Sequence, residues 1–129
     1  MEKPIYVKEY KEIENVLVNY YGKGGKEAKS EIMKPGFHEK AEMFSIDEKG
    51  KLVGGPVGES LFPVIDNHFR PSPEAEAVIV NIDINGTAAS ARVDTNDLSG
   101  FCFTDYFNLL KVEGKWLIVN KIFHTNYAE

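Results

Sequence analysis

Polar side chains that could bind a small molecule stand among large hydrophobic residues near the end of the chain. The stretch FTDYFNLLKVEGKWLIVNKIFHTNY carries Tyr106, Asn108 and Asn120 between runs of apolar residues. Phenol and amide groups in a mostly apolar pocket can orient a carbonyl group or ring nitrogen. The alternative is an internal hydrogen-bond network with no ligand. The candidate ligand-binding residues are Tyr10, Tyr20, Thr104, Tyr106, Asn108, Trp116 and Asn120.

Two further residues could move a proton. Asp66, in FPVIDNHF, could serve as a base if burial raised its pKa, and otherwise it is a surface carboxylate at a helix end. His38 has a side-chain type that can shuttle protons near neutral pH, and otherwise it ties a loop to the sheet. Tyr106 would then stabilise a developing oxyanion. The candidate catalytic residues are Asp66, His38 and Tyr106.

Other chemistries find little support in the sequence. The three histidines have no metal-ligand spacing, so we expect no metal site. Cys102 has no evident base beside it and is expected to be a small buried residue. The glycines do not follow the spacing of a phosphate-binding loop, and we expect no cofactor.

The final hairpin must position most of the candidates. A two-residue loop of Glu113 and Gly114 would put Glu at positive φ, so we expect a three-residue loop that pairs Leu110 with Trp116. One face then holds Cys102, Thr104, Tyr106, Asn108, Leu110, Trp116, Ile118, Asn120 and Ile122. The other holds Phe101, Phe103, Asp105, Phe107, Leu109, Leu117, Val119, Lys121 and Phe123. A register shift of one residue would regroup both faces.

So large an aromatic face is unusual on a soluble monomer. Because helices can cover only one side of the sheet, we assign them to the mixed face and a symmetric partner to the aromatic face. The nine residues of the aromatic face are therefore the expected homodimer interface. The alternative is that the third helix or the C-terminal tail covers them.

The elements upstream are helices followed by strands. Pro4 is expected in the first turn of a helix with Tyr6, Tyr10, Ile13, Leu17 and Tyr20 on one stripe. The glycines of GKGG end it, with Gly22 or Gly24 as left-handed cap. A second helix is predicted over about 26–33, a strand over about 41–46, a glycine-rich loop next, a third helix from about 58, and a hairpin turn at Asn85-Gly86. This order predicts an α+β domain.

Bulk properties limit the classes of function. The chain has 129 residues, which fits one domain over 1–129. Its net charge of −5 argues against a nucleic-acid partner, and no stretch is apolar enough for a transmembrane helix. The polar N-terminus lacks a signal-peptide core and the single cysteine cannot form an internal disulfide, so a cytoplasmic location is expected.

Three stretches resemble a known family: NYYGKGG, FHEKAEMFS and FTDYFNLLKVEGKWLIVNKIF. Together they resemble the nuclear transport factor two-like superfamily, and within it the bacterial lumazine-binding-like proteins, close to the polyketide cyclase-like group. The resemblance implies a cone-shaped α+β fold, a cavity between a long helix and a curved sheet, and dimers formed through the sheet. Steroid-isomerase-like members use a carboxylate base with an oxyanion-binding acid. The strand position of that acid matches Tyr106 or, one residue earlier, Asp105.

These features predict a homodimer that binds a small organic molecule in a partly apolar pocket. One alternative is a cofactor-independent isomerase, cyclase or dehydratase with an Asp or His base and a Tyr oxyanion donor. The other is a structural dimerisation module. The superfamily fold does not choose among them.

Overall fold

The structure is a computed structural model that describes residues 6–129. Pro4 lies outside the described residues. The helical segments are α1 (Val7–Asn15), a π-helical segment (Val16–Gly22), α2 (Lys23–Glu27), α3 (Ser30–Met33), a 3₁₀ turn (Lys34–Gly36), α4 (Val57–Ser60) and α5 (Phe62–His68). The strands are β1 (Phe37–Ile46), β2 (Leu52–Pro56), β3 (Glu76–Asn85), β4 (Ala88–Leu98), β5 (Phe101–Val112) and β6 (Lys115–Ala128).

The strands form one six-stranded sheet in the order β2-β1-β6-β5-β4-β3. β1 runs parallel to β6, and the other neighbouring pairs are antiparallel. Hydrophobic residues from the helices and from one face of the sheet form a shared core. The predicted α+β class is therefore confirmed. Within residues 6–129, no helix has the length and apolar character needed to cross a membrane.

The first helix changes its hydrogen-bond pattern halfway along. From Val16 to Gly22 it is π-helical, so each backbone hydrogen bond spans one more residue than in an α-helix. Tyr21 is consequently turned inward and is 7% exposed, whereas Tyr10, on the expected stripe, is 40% exposed. The buried side chains of this helix are those of Ile13, Val16, Leu17 and Tyr21.

The glycines of GKGG do not end this helix. It continues through α2, and Ala28 (φ 57°) takes the left-handed cap conformation. A Cβ atom on Gly24 would lie 2.8 Å from the Cβ of Met33. Gly24 therefore allows α3 to pack closely against the long helix, and the prediction that Gly22 or Gly24 forms the cap is wrong.

Other boundaries differ from the sequence expectations. The second helix shrinks to α3, β1 begins earlier than expected, and the third helix is divided into α4 and α5. The glycine-rich loop contains β2, where Gly54 (φ 136°) pairs with Phe44. A Cβ atom on Gly54 would lie 2.0 Å from the carbonyl oxygen of Met43, so only glycine fits there.

Both predicted hairpins form, each around a two-residue turn. In the first, Gly86 and Thr87 make the turn one position later than expected, with Gly86 at φ 61°. In the second, Glu113 (φ 49°) and Gly114 (φ 83°) both have positive φ, as a type I′ turn requires. The expected three-residue loop is wrong, because the twist of the type I′ turn suits the strands and offsets the cost at Glu113.

The shorter loop changes the register of the final hairpin. Asn108 pairs with Asn120 and Leu109 pairs with Ile118, which leaves Val119 in a β-bulge. The bulge inserts one residue and moves the following part of β6 to the opposite face. The helix-covered face therefore carries Asp105, Phe107, Leu109, Trp116, Ile118, Lys121 and Phe123.

The helices cover the aromatic face of the hairpin. Phe107 and Leu109 are each 1% exposed, whereas Tyr106 is 46% exposed. Burial of apolar surface stabilises the fold by about 25 cal/mol per Å², and burial of amide groups without partners opposes it. The prediction that the helices cover the mixed face and a partner covers the aromatic face is therefore wrong.

Candidate functional site

A cluster of three polar side chains lies inside the apolar core. The hydroxyl group of Tyr21 donates to Oδ2 of Asp105 over 3.2 Å, and Nζ of Lys121 donates to the Tyr21 oxygen over 2.6 Å. Nζ also lies 3.4 Å from Oδ1 of Asp105. That Oδ1 atom is buried, and among the described residues the ion pair with Lys121 is its one polar contact, whereas buried carboxylates usually accept hydrogen bonds as well.

Each member of this cluster comes from a different element. Tyr21 belongs to the π-helical segment, Asp105 to β5 and Lys121 to β6. Asp105 and Lys121 are not directly opposite each other: Asp105 pairs with Phe123, and Lys121 pairs with Phe107. Their side chains meet diagonally across the strands on the helix-covered face, within reach of long side chains.

The environment of the cluster opposes charge. Burial raises the pKa of Asp105 and lowers the pKa of Lys121, because both charged forms lose hydration. Burial, followed by the adjacent Asp105 carboxylate, raises the pKa of Tyr21 well above its ordinary value. Aromatic rings complete the surroundings, with Nζ 4.8 Å from the Tyr21 ring centroid and 4.9 Å from that of Phe123. Burial therefore makes the neutral pair, a carboxylic acid and an amine, less unfavourable than it is in water.

A pocket of about 390 Å³ lies between the first helix and the β3–β4 end of the sheet. Its walls are mainly apolar, and polar side chains lie among them. The lining residues are Leu17, Val18, Asn19, Tyr21, Gly22, Lys23, Gly25, Lys26, Ala75, Glu76, Ala77, Ile79, Val93, Thr95 and Leu98.

The pocket and the polar cluster share a wall. Tyr21 lines the pocket and also contacts both other members of the cluster. Val93, another wall residue, pairs with Asp105 in the sheet, so these side chains are neighbours on one face. A ligand in this pocket would therefore contact Tyr21, which itself contacts the buried Asp105 and Lys121.

The polar residues expected to line a pocket lie on the opposite face of the sheet. Tyr106 is exposed, and its ring lies under the Arg92 guanidinium at 5.9 Å. Ser90 donates to Asn108 over 2.8 Å, and Asn108 donates to Asn120 over 3.1 Å. These residues form a hydrogen-bonded ladder and are not brought to the helix-covered pocket, because the register places them on the other face.

The remaining ligand-binding candidates are spread over the molecule. Thr104 accepts a hydrogen bond from Asn126 over 2.9 Å. The indole N–H of Trp116 donates to Glu9 over 2.5 Å, which ties the first helix to the hairpin. Tyr10, Tyr20 and Trp116 are outside the pocket beside the cluster, and Tyr20 and Trp116 instead line a shallow groove near the hairpin turn.

Asp66 and His38 also lie apart from this pocket. The Asp66 carboxylate accepts hydrogen bonds from the backbone N–H (2.8 Å) and the hydroxyl (2.7 Å) of Ser30. These bonds lower the pKa of Asp66, backbone first, which makes it a weaker base. His38 Nδ1 accepts the backbone N–H of Lys40 over 3.0 Å. The raised pKa that Asp66 would need as a base is therefore absent, and the bond of His38 is local to β1 and does not tie a loop to the sheet.

The expected dimer interface is largely internal. Asp105, Phe107, Leu109 and Lys121 are each at most 4% exposed in a single chain. Phe101 and Phe103 stack with Phe69 of the segment after α5. These six residues are therefore unsuited to an interface, since helices and the following segment already cover them. Among the described residues, no cluster of His, Cys, Asp or Glu could hold a metal ion.

The sequence contained part of the signal for this cluster. Asp105 and Lys121 share the aromatic face of the predicted hairpin, which the sequence analysis assigns to a partner. Tyr21 is the residue after Tyr20 of the predicted helical stripe. The π-helical segment and the bulge at Val119 bring the three side chains together, and neither irregularity has a clear sequence signature.

Comparisons with known proteins agree with this architecture. A family model described as "Putative lumazine-binding" matches residues 8–124. A crystal structure of an NTF2-like protein of unknown function from Shewanella baltica OS155 is 58% identical, with 98% of this chain and 100% of that chain covered and a TM-score of 0.93. Another, from Methylobacillus flagellatus KT, is 35% identical, with 98% of each chain covered and a TM-score of 0.88.

A curated relative is more distant. Aldolase FrzH from Cladobotryum sp. is 27% identical over 100 residues, which span 74% of this chain and 75% of that protein. The family model covers most of the chain, and the two crystal structures share its α+β cone fold. This chain therefore belongs to the lumazine-binding-like family of the NTF2-like superfamily.

Proposed function

We propose that this protein binds a small, largely apolar organic molecule in the pocket between the first helix and the β3–β4 end of the sheet. The observation that carries this proposal is the shared wall: Tyr21 lines an apolar pocket and contacts a buried carboxylate and amine. Leu17, Ile79 and Val93 would contact the ligand's body, and the cluster would recognise a polar group at its inner end.

A blocking substitution tests this proposal. Ala77 lines the pocket on an exposed part of β3, so Ala77→Trp fills the site with little disturbance of the core. Ala88→Trp is the matched control, because Ala88 is also exposed and lies outside this pocket. Saturable fluorescence of 1-anilinonaphthalene-8-sulfonate is expected with the wild type and the control, and at least tenfold weaker binding with Ala77→Trp. Equal binding by all three proteins would place the dye elsewhere and refute the proposal.

A second candidate function is proton-transfer or carbon–carbon bond chemistry at the same site. It is favoured by the buried Asp105 carboxylate, which contacts the pocket residue Tyr21 over 3.2 Å, and supported by the similarity to an aldolase. Asp105 would act as base, and Tyr21 would donate to a developing oxyanion. These roles replace those expected for Asp66, His38 and Tyr106. Deuterium incorporation beside the carbonyl of cyclohexanone in D₂O should fall at least tenfold in Asp105→Asn, and an unchanged rate would exclude this role.

We also propose that the chain forms a homodimer through the outer face of its sheet, the face opposite the helices. This face exposes the apolar side chains of Val78, Val80, Tyr106, Leu110 and Ile122. Between them lies the amide ladder of Asn108 and Asn120. Because an amide both donates and accepts, such a surface can complement a second copy of itself across a two-fold axis.

Sedimentation at micromolar concentration measures this assembly directly. The wild type should have twice the chain mass, and Leu110→Asp should have the mass of one chain. A monomeric wild type would refute the dimer. The cytoplasmic location stays a proposal, resting on the single cysteine.

A further inference from the structure

Lys121 lies where a charged amine is costly for the fold. The residue is 4% exposed, and its Nζ contacts a tyrosine hydroxyl, a carboxylate and two aromatic rings. A buried ion pair of this kind is often no more stabilising than apolar residues of similar volume. An amine beside a pocket can also react with a bound molecule, which an apolar residue in the same place could not do.

We propose that Lys121 forms an imine with an aldehyde or ketone that enters the pocket behind Tyr21. This inference rests on the proposed function, because the pocket must admit the carbonyl compound. Amines in apolar surroundings act as nucleophiles toward carbonyl groups when they are held in the neutral form. The burial that disfavours the ammonium ion of Lys121 favours that neutral form.

The neighbouring groups supply what imine formation requires. Asp105 Oδ1, which lies 3.4 Å from Nζ in the ion pair, can take a proton from the ammonium group and free its lone pair. The Tyr21 hydroxyl, 2.6 Å from Nζ, is close enough to donate to the carbonyl oxygen as the carbon bonds to nitrogen. Because the same hydroxyl contacts Asp105 over 3.2 Å, protons can pass from the carboxyl group through Tyr21 to the carbonyl oxygen.

The reaction is balanced without a cofactor. The ammonium group and the carbonyl compound give an iminium ion and one molecule of water. The C–N bond forms first, and the carbonyl oxygen then leaves with two of the protons that began on nitrogen. The positive charge stays on nitrogen, so the iminium ion takes the place of the ammonium ion beside the Asp105 carboxylate.

The same geometry limits the substrate class. Tyr21 both lines the pocket and contacts Nζ, so the carbonyl compound must approach the amine along the Tyr21 side chain. The pocket walls formed by Leu17, Ile79 and Val93 favour a hydrophobic body. An aryl aldehyde such as benzaldehyde therefore matches the site in size and chemistry.

Reductive trapping tests the proposal on the intact chain. The protein is incubated at pH 7 with benzaldehyde and sodium cyanoborohydride, and benzylated lysines are located by peptide mass spectrometry. Exposed Lys115, on the same strand as Lys121, is the internal control. We expect at least tenfold more adduct at Lys121 than at Lys115. A Lys121 adduct no more abundant than that at Lys115 would overturn the proposal.

Two variants test whether the aldehyde enters through the pocket, and the dye and aldehyde results together separate the two proposals. Ala77→Trp should abolish the Lys121 adduct, and Ala88→Trp should leave it unchanged. Adduct formation that persists in Ala77→Trp would exclude entry through the pocket and overturn the inference. If the dye binds as predicted while Lys121 stays unmodified, the imine is refuted and the binding function stands. If neither dye nor aldehyde reaches the pocket, both proposals fail.

Discussion

The hydroxyl oxygen of Tyr21 lies 2.6 Å from Nζ of Lys121, although 100 residues separate them in the chain. This bond joins the π-helical segment to the strand that follows the bulge at Val119. The two irregularities therefore meet in one place. Departures from regular geometry at a buried polar site are typical of functional regions.

The ion pair of Asp105 and Lys121 should be costly to break and less costly to replace. Lys121→Met leaves a buried carboxylate without its partner and should lower the free energy of unfolding by about 3–5 kcal/mol. Asp105→Leu combined with Lys121→Met should recover more than half of that loss, since no charge is left uncompensated. Urea unfolding at pH 7 measures both. If Lys121→Met were as stable as the wild type, the expected cost of leaving the Asp105 carboxylate unpaired would be contradicted.

Adjacent leucines test which face of the hairpin is covered. Leu109 is 1% exposed and Leu110 is 43% exposed. Leu109→Ala should lower the free energy of unfolding by about 2–5 kcal/mol, because it leaves a cavity in the core. Leu110→Ala should stay within about 0.5 kcal/mol of the wild type. Unfolding is measured in dilute solution, where the chain is monomeric. A larger loss of stability in Leu110→Ala than in Leu109→Ala would show that the helices cover the face that carries Leu110.

The bond between Glu9 and Trp116 should contribute to stability in a pH-dependent way. Glu9 accepts the Trp116 indole N–H and also Nζ of Lys111, and these bonds, Lys111 first, lower its pKa. Glu9→Ala should cost about 1–3 kcal/mol at pH 7, because the buried indole N–H loses its acceptor. The stabilisation is complete above the unfolded pKa of about 4.3 and is lost as pH falls through the lower folded pKa.

Thermal unfolding between pH 7 and pH 2 measures this effect. Glu14→Ala is the matched control, because Glu14 is exposed on the same helix, and it should behave like the wild type throughout. A gap between Glu9→Ala and the wild type that stays constant down to pH 2 would show that the carboxylate charge is not responsible.

Asp66 should affect stability without affecting the pocket. Its carboxylate binds the N–H and hydroxyl of Ser30, so Asp66→Asn should lower the melting temperature at pH 7. The difference should vanish in acid, because a lowered folded pKa gives stability that is lost as pH falls through it. Dye binding should be unchanged, and Asn67→Ala, at the exposed neighbouring position, is the control. Loss of dye binding in a folded Asp66→Asn protein would return Asp66 to the candidate site.

The sequence by itself determined the α+β class, the long first helix and both hairpins. These features depend on local signals: apolar residues at helical spacing, alternation along strands, and glycine at turns. It also showed that both faces of the final hairpin carry large apolar side chains. The family resemblance depended on the same stretches of sequence.

Only the tertiary structure decided which face turns inward and which polar residues meet. Side chains alternate along a strand with a period of two, so the turn at Glu113 and the bulge at Val119 redistribute the faces. In the helix, the wider spacing of the π-helical hydrogen bonds brings Tyr21 to Asp105 and Lys121. A shift of one residue costs little in local sequence preference, and only packing across the whole core selects between the alternatives.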